Sequence, residues 1–380
     1  MTIKSKLPNV GTTIFTVMSA LAEQHKAINL SQGFPNFDTP EGLKNLVSHY
    51  MNKGMNQYAP MAGLPILRGR LAEKIEKLYG ASVNPTTEIT ITAGGTQGLF
   101  TAIAAFIHEG DEVILIEPAY DSYAPSVELC SGIVIPYRLE YPNYEIDWVA
   151  FEQLITPKTR MIIINTPHNP TGKTLKDSDL RNLERITEGS EILILSDEVY
   201  EHLIFDGQAH ASVLRYPNLF KRSIASYSFG KTFHATGWKM GYVVAPDYLM
   251  AEFRKVHQFN VFSVNTPVQY AIAEFLEDEN NYLSLPNFYQ NKRDYFLKLM
   301  EGSRFKPLKS EGTYFQLFDY QDVSNENDFD FSKRLTTELG VAVIPVSVFY
   351  TNNIDAKVIR VCFAKTEDVL EAAAEKLCTI

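Results

Sequence analysis

The sequence predicts an α/β protein: one large, mostly parallel seven-stranded sheet, followed by a smaller α+β unit. Three observations carry this. Runs such as MIIIN (Met161–Asn165) and ILILS (Ile192–Ser196) are nearly all apolar, as expected for strands covered on both faces. Helical stretches separate the runs, as parallel crossovers require. After about Leu285 the texture changes, with isolated strands and helices around the polar stretch DYQDVSNENDFD.

In chain order, residues 1–40 are expected to form an arm that contributes to the smaller unit. The arm has a short helix at Phe15–Gln24 and a loop, SQGFPNFDTP, dense in Gly, Pro, Asn and Asp. Residues 41–285 make the large domain. Its first helix starts at Pro65, with Leu67, Leu71, Ile75 and Leu78 on one stripe. Seven strands are expected at Glu88–Thr92, Glu112–Glu117, Gly132–Tyr137, Met161–Asn165, Ile192–Ser196, Ser223–Ser228 and Met240–Ala245. Helices such as Thr96–His108 and Lys176–Gly189 cover them. The gap before Met240 is too short for a covering helix, so that strand is expected to run antiparallel. Residues 286–380 form the smaller unit: helix Phe288–Met300, strand Thr313–Phe318, helix Phe331–Leu339, strand Val358–Phe363 and helix Thr366–Leu377. Thr366, Glu367 and Asp368 suit a helix start.

Composition narrows the function. The 380 residues carry 35 basic and 45 acidic side chains, a net charge of −10. That balance argues against a nucleic-acid surface but permits a local anion pocket. Cys130, Cys362 and Cys378 form no CxxC pair and are odd in number, which suggests free thiols in a reducing, cytoplasmic setting. Neither a secretory signal in MTIKSKLPNVGTTIF, a membrane span nor a metal site is expected.

The chemistry-bearing residues fall at the carboxyl ends of the expected strands, where open α/β sheets bind ligands. The first such strand runs into AGGTQ. Gly94 and Gly95 permit a tight turn there, and Thr96 offers a hydroxyl at a helix start, a suitable phosphate cradle. The plain alternative is a strand–helix turn with Thr96 as its cap. EPAYDSY places Tyr120 and Tyr123 where an aromatic can cover a flat ring, or simply pack. In TPHNPTGK, Asn169 can donate to a ring oxygen, while His168 reads as structural and Lys173 as solvated. Asp197, in DEVY, follows an apolar run and needs a cation, such as a protonated pyridine nitrogen, unless it caps a helix. Tyr200 lies three residues on. SFGKTFHATGWKMG supplies Ser228, Lys231 and Lys239. Lys231, between Gly230 and Phe233, is a candidate for a depressed pKa and a Schiff base, against the alternative of a solvated lysine. Together these groups ask for a pyridine bearing an oxygen, a phosphate and an aldehyde: pyridoxal 5'-phosphate. A nicotinamide cofactor fits poorly, because no first-strand GxGxxG is present.

The ordered motifs SQGFPNF, NQYAP, AGGTQ, EPAYDSY, NTPHNPTGK, SDEVY, SFGKTFHATGWKMGY, PVSVFY and IRVCFAK resemble those of pyridoxal-phosphate-dependent class I/II aminotransferases of fold type I. The resemblance is strongest to the methionine and kynurenine (glutamine-type) branch. It implies that Lys231 binds the cofactor covalently and shuttles the substrate Cα proton, while Asp197 pairs with the pyridine nitrogen. Asn169 and Tyr200 would donate to the ring oxygen, and Tyr120 would stack on the ring. Gly94, Gly95, Thr96, Ser228 and Lys239 would form the phosphate shell, with Lys239 standing where many relatives have Arg. Arg360 would hold the substrate carboxylate beside Gly33. Tyr58 would reach the neighbouring subunit's phosphate in a homodimer. Phe15, Tyr58, Tyr123 and Phe349 are the candidate walls for the substrate side chain. With no second arginine in these segments, the resemblance favours methionine, aromatic or glutamine-like donors over aspartate, with a 2-oxo acid as acceptor. Kynurenine or glutamine transamination with β-elimination from cysteine S-conjugates is the alternative.

Overall fold

A computed structural model describes residues 3–380; residues 1 and 2 of the expected arm lie outside the described residues. The arm folds as helix α1 (Ile14–His25), capped by the Thr13 hydroxyl, and a two-residue strand, β1 (Ile28–Asn29). Helix α2 (Glu41–Asn52) follows, with Leu43 as its one buried residue. So thin an apolar stripe left no periodicity to read. Helix α3 (Pro65–Tyr79) opens on Pro65 and stops at Gly80, whose φ of 67° ends the helix without a Cβ clash. It buries Leu67, Leu71 and Ile75 as expected, but Tyr79 rather than Leu78 completes the buried face.

The large sheet is built from β2 (Ile89–Thr92), β3 (Glu112–Glu117), β4 (Ile133–Arg138), β5 (Thr159–Asn165), β6 (Leu193–Asp197), β7 (Ser223–Ser228) and β8 (Gly241–Val244). Helix α4 (Gly95–Phe106) connects β2 to β3. The strand order is β2-β8-β7-β6-β5-β3-β4. Only β8 runs antiparallel, against β2 and β7, because a short turn rather than a crossover helix precedes it. Strands β5 and β6 are buried almost throughout. Register pairs Asn165 with Asp197 and Asp197 with Ser226, so neighbouring strands end at one level. Helices at Asp247–Asn260 and Thr266–Phe275 were not expected from the sequence.

The C-terminal part forms a second sheet in the order β12-β13-β10-β9. Its strands are β9 (Lys306–Pro307), β10 (Phe315–Asp319), β12 (Ile344–Pro345) and β13 (Val358–Cys362), while β11 (Val341–Ala342) pairs in parallel with β1 of the arm. The helix expected at Phe331–Leu339 starts earlier, at Asp328, where the Asn327 side chain caps it. At Thr366 the backbone N–H donates to Asn36 Oδ1 at 2.7 Å, and Asn36 Nδ2 donates to the Thr366 hydroxyl at 3.1 Å. The last helix therefore begins as expected, but on an arm residue rather than on its own side-chain cap. Among the described residues no helix is long and apolar enough to cross a membrane.

The segment after β6 is held from behind by buried charge. Lys74 of α3 donates to Glu201 Oε1 at 2.5 Å and to the Tyr242 hydroxyl at 3.1 Å, and the Tyr79 hydroxyl donates to Glu201 Oε2. Glu198 accepts from Ser196 Oγ at 2.8 Å, Tyr227 OH at 3.0 Å and the Val213 N–H at 3.0 Å, and lies 2.8 Å from His210 Nε2. Burial pushes the Glu201 carboxyl up, but Lys74 and its other partners outweigh this and hold it at about 2. Replacing Lys74 by Met is expected to cost about 3–5 kcal/mol at neutral pH, because an uncompensated carboxylate stays buried; urea unfolding checks this. Since the folded pKa of Glu201 is depressed, its stabilisation is present above about pH 4.5 and is lost as pH falls through about 2. The penalty of Lys74→Met should shrink over the same window.

Candidate active site

The aligned strand ends open onto a cavity of about 340 Å³. On its β2 side the chain enters α4 through Gly94, whose φ of +84° places it in the left-handed region. Gly94, not Thr96, is the cap residue, and it makes no side-chain cap bond. Thr96 sits in the first turn, where helix N–H groups point outward without helical partners. Gly94, Gly95, Thr96, Ser228 and Lys239 all line the cavity. Ser228, at the end of β7, and Lys239, in the turn before β8, thus join the N-terminus of α4 on one cavity, a setting suited to a phosphate.

Asp197 ends β6 and is buried. Its Oδ2 accepts from Tyr123 OH at 2.6 Å and its Oδ1 from the Val199 N–H at 3.3 Å. No described cation forms a salt bridge with it, and burial pushes its carboxyl up to about 6. Such a carboxylate suits a ligand that carries an N–H⁺. Asn165, at the end of β5, organises the next position. Its Nδ2 donates to the Asp197 carbonyl at 2.9 Å, and its Oδ1 accepts from the Asn169 N–H at 2.7 Å. The Asn169 side-chain oxygen accepts from Arg360 Nη1 at 2.8 Å, which turns its amide nitrogen into the available donor. Tyr120 lines the cavity with its ring edge-on to Tyr123, and Tyr200 lines it with its ring edge-on to Tyr314.

Lys231 occupies the one-turn helix Phe229–Thr232, just beyond β7. Its Nζ donates to Tyr314 OH at 2.9 Å and to the Gly33 carbonyl at 3.3 Å. Burial pulls the amine down to about 8; Arg360 and Lys239 push the same way, while Cys362 and Asp197 oppose them. The result is an amine whose neutral, nucleophilic fraction near neutral pH is far larger than that of an exposed lysine.

Arg360, on β13, is 1% exposed. It stacks on Phe315, with Cζ 3.9 Å from the ring centroid, and has the Phe15 and Phe349 rings at 5.3 Å each. Its Nη2 donates to the Ser31 carbonyl at 3.1 Å; among the described residues its buried Nε has no partner and no carboxylate pairs with it. A buried guanidinium lacking an anion is costly, so an anionic ligand fits here. Gly33 lies beside it, and a Cβ on Gly33 would stand 2.8 Å from Phe315 Cζ. The loop can therefore approach only as glycine.

Three expected wall residues do not line the cavity of this chain, and for Tyr58 the expected place is the partner's site. Tyr123 is fully enclosed and spends its hydroxyl on Asp197, so it does not face the cavity. Phe349 is buried against Phe15 and Arg360, behind the lining. Tyr58 is 82% exposed, packs edge-on against Phe262, and does not line the cavity of its own chain. Phe15 does line it. His168 is buried, with Nδ1 2.7 Å from Thr171 Oγ1, and burial pulls its imidazole down to about 4. Sequence reasoning missed Gln32, Asn165, Tyr314 and Phe315. Asn165 carried the same signal as Asp197, a polar residue closing an apolar strand. Tyr314 and Phe315 carried none, because they come from the other sheet.

The donor set fits pyridoxal 5'-phosphate: an unpaired buried carboxylate for its ring nitrogen, an amide donor and a tyrosine near its ring oxygen, a helix N-terminus for its phosphate, and a partly neutral lysine for its aldehyde. Bound there, the cofactor supplies the carbonyl that takes up an amino group and the ring that withdraws electrons from the substrate carbon. Fold and site together define a pyridoxal-phosphate-dependent transferase of fold type I. The model of the aminotransferase class I and II family matches residues 25–377, and the chain belongs to that family; it is a pyridoxal-phosphate-dependent transaminase. It is 52% identical over 375 residues to a methionine aminotransferase of Escherichia coli strain K12, covering 98% of this chain and 97% of that one. It is 33% identical over 393 residues to kynurenine–oxoglutarate transaminase 1 of Homo sapiens, covering 94% and 93%. Its structure matches, over the full length of both chains, that of an Escherichia coli protein whose crystal structure and reactivity identified a methionine aminotransferase function, with a TM-score of 0.98 and 51% identity.

The depressed amine gives a pH prediction. Capture of an added aldehyde by Lys231 should rise as pH passes through about 8, whereas an exposed lysine titrates near 10.4. Borohydride trapping across pH, followed by peptide mapping, measures the midpoint.

Proposed function

We propose that this aminotransferase takes methionine, or another large neutral or aromatic amino acid, as donor and a 2-oxo acid as acceptor. The observation that carries the reading is the lining of the cavity. Arg360 is its one arginine among the described residues, and Phe15 and Phe315 stand beside that guanidinium. One arginine serves the α-carboxylate, and none remains for a side-chain carboxylate. The similarity to a methionine aminotransferase supports the same donor.

In this reading Arg360 and the Gly33 loop orient the amino acid by its carboxylate. Lys231 would hold the cofactor through its aldehyde and, as a free amine once a substrate amine had taken its place, would move the Cα proton. Asp197, held by the Tyr123 hydroxyl, would pair with the cofactor's ring nitrogen and favour its protonated form. Asn169 and Tyr200 would serve the ring oxygen, and Tyr120 would supply an aromatic surface for the ring. Gly94, Gly95, Thr96, Ser228 and Lys239 hold the phosphate, with Lys239 as a point charge rather than a bidentate fork. The two half-reactions share these residues in turn, so the kinetics are ping-pong. We assign residues 41–285 to the cofactor-binding domain and 286–380, with the arm, to the smaller one. The free thiols of Cys130, Cys362 and Cys378 suit the cytoplasm.

We further assign the working form as a homodimer in which Tyr58 reaches the partner's phosphate. Its 82% exposure, with the exposed Phe262 packed edge-on against it, supports a covered position in an assembly.

Lys231→Ala should lower kcat by at least about 10²–10⁴-fold. A panel of amino donors and 2-oxo acids on the wild-type enzyme should rank methionine first. Dominant pyruvate and ammonia release from a cysteine S-conjugate would favour β-elimination instead, and efficient aspartate turnover would reject the single-arginine argument. For Tyr58, subunits carrying Lys231→Ala are mixed with subunits carrying Tyr58→Phe under exchange. One site of each mixed dimer then holds both groups and should recover cofactor affinity. Absence of recovery in demonstrated mixed dimers rejects the cross-subunit role.

A further inference from the structure

Lys231 does not float in the cavity. Its Nζ donates to Tyr314 OH at 2.9 Å and to the Gly33 carbonyl at 3.3 Å, and the Tyr314 hydroxyl in turn donates to that same Gly33 carbonyl. Tyr314 is wholly buried. It precedes Phe315, the first residue of β10, so it belongs to a different sheet from the strand that delivers Lys231. The hydroxyl hydrogen of Tyr314 is committed to Gly33, so both atoms that face the amine are acceptors. A neutral amine has two hydrogens and one lone pair. When both hydrogens are engaged, the lone pair is directed away from Tyr314 and Gly33, toward the open side that Lys231 lines.

We infer that Tyr314 is a positioning residue for Lys231, an acceptor that fixes the amine so that its lone pair faces the substrate carbon whose proton it removes. The inference rests on the assignment of Lys231 as the covalent and proton-moving lysine. The arrangement also couples that amine to substrate binding, since Gly33 belongs to the loop whose Ser31 carbonyl holds Arg360. A lysine side chain has four rotatable bonds, and leaving them free would disperse the amine over many positions. The Tyr314–Gly33 pair removes that freedom with groups that cannot compete for the lone pair.

The groups facing the amine are Asp197 from β6, Arg360 and Cys362 from β13, Lys239 from the turn before β8, and the Tyr200 and Tyr314 rings. None changes in Tyr314→Phe except the hydroxyl itself. An ammonium group is favoured by acceptors, so losing the hydroxyl should lower the pKa of Lys231. The full-length protein, freed of cofactor, is labelled with trinitrobenzenesulfonate across about pH 6 to 10, and Lys231 is followed by peptide mapping. The midpoint should fall by about one to two pH units in Tyr314→Phe. The control is Tyr289→Phe. It removes another buried hydroxyl from the same aromatic cluster, one that lies 2.9 Å from His234 Nδ1 and does not touch Lys231. Its midpoint should match wild type.

With methionine, the Tyr314→Phe holoenzyme should lose about 10- to 100-fold in kcat, with KM within about twofold, and the acidic limb of its kcat profile should move to lower pH. An unchanged Lys231 midpoint in Tyr314→Phe, or an equal shift in Tyr289→Phe, overturns the inference. Wild-type label that fails to map to Lys231 at all instead overturns the underlying assignment, and the inference with it. Should Tyr314→Phe fold poorly, the kcat profile of its holoenzyme, normalised to bound cofactor, decides in the same way: an acidic limb that stays at the wild-type pH overturns the inference.

Discussion

Three ionisable groups, Asp197, Lys231 and Arg360, are buried around one cavity, and among the described residues none has a counter-ion of opposite sign in salt-bridge contact. Much of the architecture can be understood from that constraint. Removing a lone carboxylate, ammonium or guanidinium from water is unfavourable, and the displaced pKa values of all three record it. In the proposed reading a ligand would complete the electrostatics: a cationic ring nitrogen would suit Asp197, a carbonyl carbon Lys231 and a carboxylate Arg360. Binding energy gained at these buried groups would then be tied to the chemistry.

Holding such groups in place requires rigid support on the far side. The six residues from Asp197 to His202 divide their loyalties. Asp197, Val199 and Tyr200 line the cavity, while Glu198 and Glu201 are anchored in a buried network with Lys74, His210, Tyr79, Tyr227 and Tyr242. The same network ties α3 to β7 and β8. Displacing Asp197 would mean breaking satisfied buried hydrogen bonds, so the carboxylate cannot relax toward water. Tyr123, behind Asp197 on the cavity's far side, completes the restraint.

The substrate end is assembled differently. Gly33 comes from the arm, Arg360 from β13, Tyr314 and Phe315 from the start of β10, and Asn169 from the loop after β5. Phe315 is central here: its ring stacks on Arg360 and closes on Gly33, so only glycine fits opposite it. Pairing of β1 with β11 brings the arm to this place. The Arg360 guanidinium and the Lys231 amine are thus joined through one short stretch, Tyr314–Phe315, and the loop that carries Gly33.

What the sequence determined by itself was the large sheet and the residues at its strand ends. Apolar runs such as Met161–Asn165 announce buried strands, and a polar residue closing such a run must meet a ligand or a partner. Gly94, Asn169, Asp197 and Lys231 could therefore be named from the sequence, as could the antiparallel β8. Helices with thin apolar stripes, such as α2, escaped detection because periodicity needs several buried positions. Only the tertiary structure decided which aromatic does what. Tyr120, Tyr123, Tyr200 and Tyr314 are chemically identical. That Tyr120 and Tyr200 line the cavity, Tyr123 donates to Asp197 and Tyr314 accepts from Lys231 depends on which way each strand end turns and on which sheet it adjoins. Those are long-range contacts, as in the 83-residue separation of Lys231 and Tyr314, and local pattern carries no information about them.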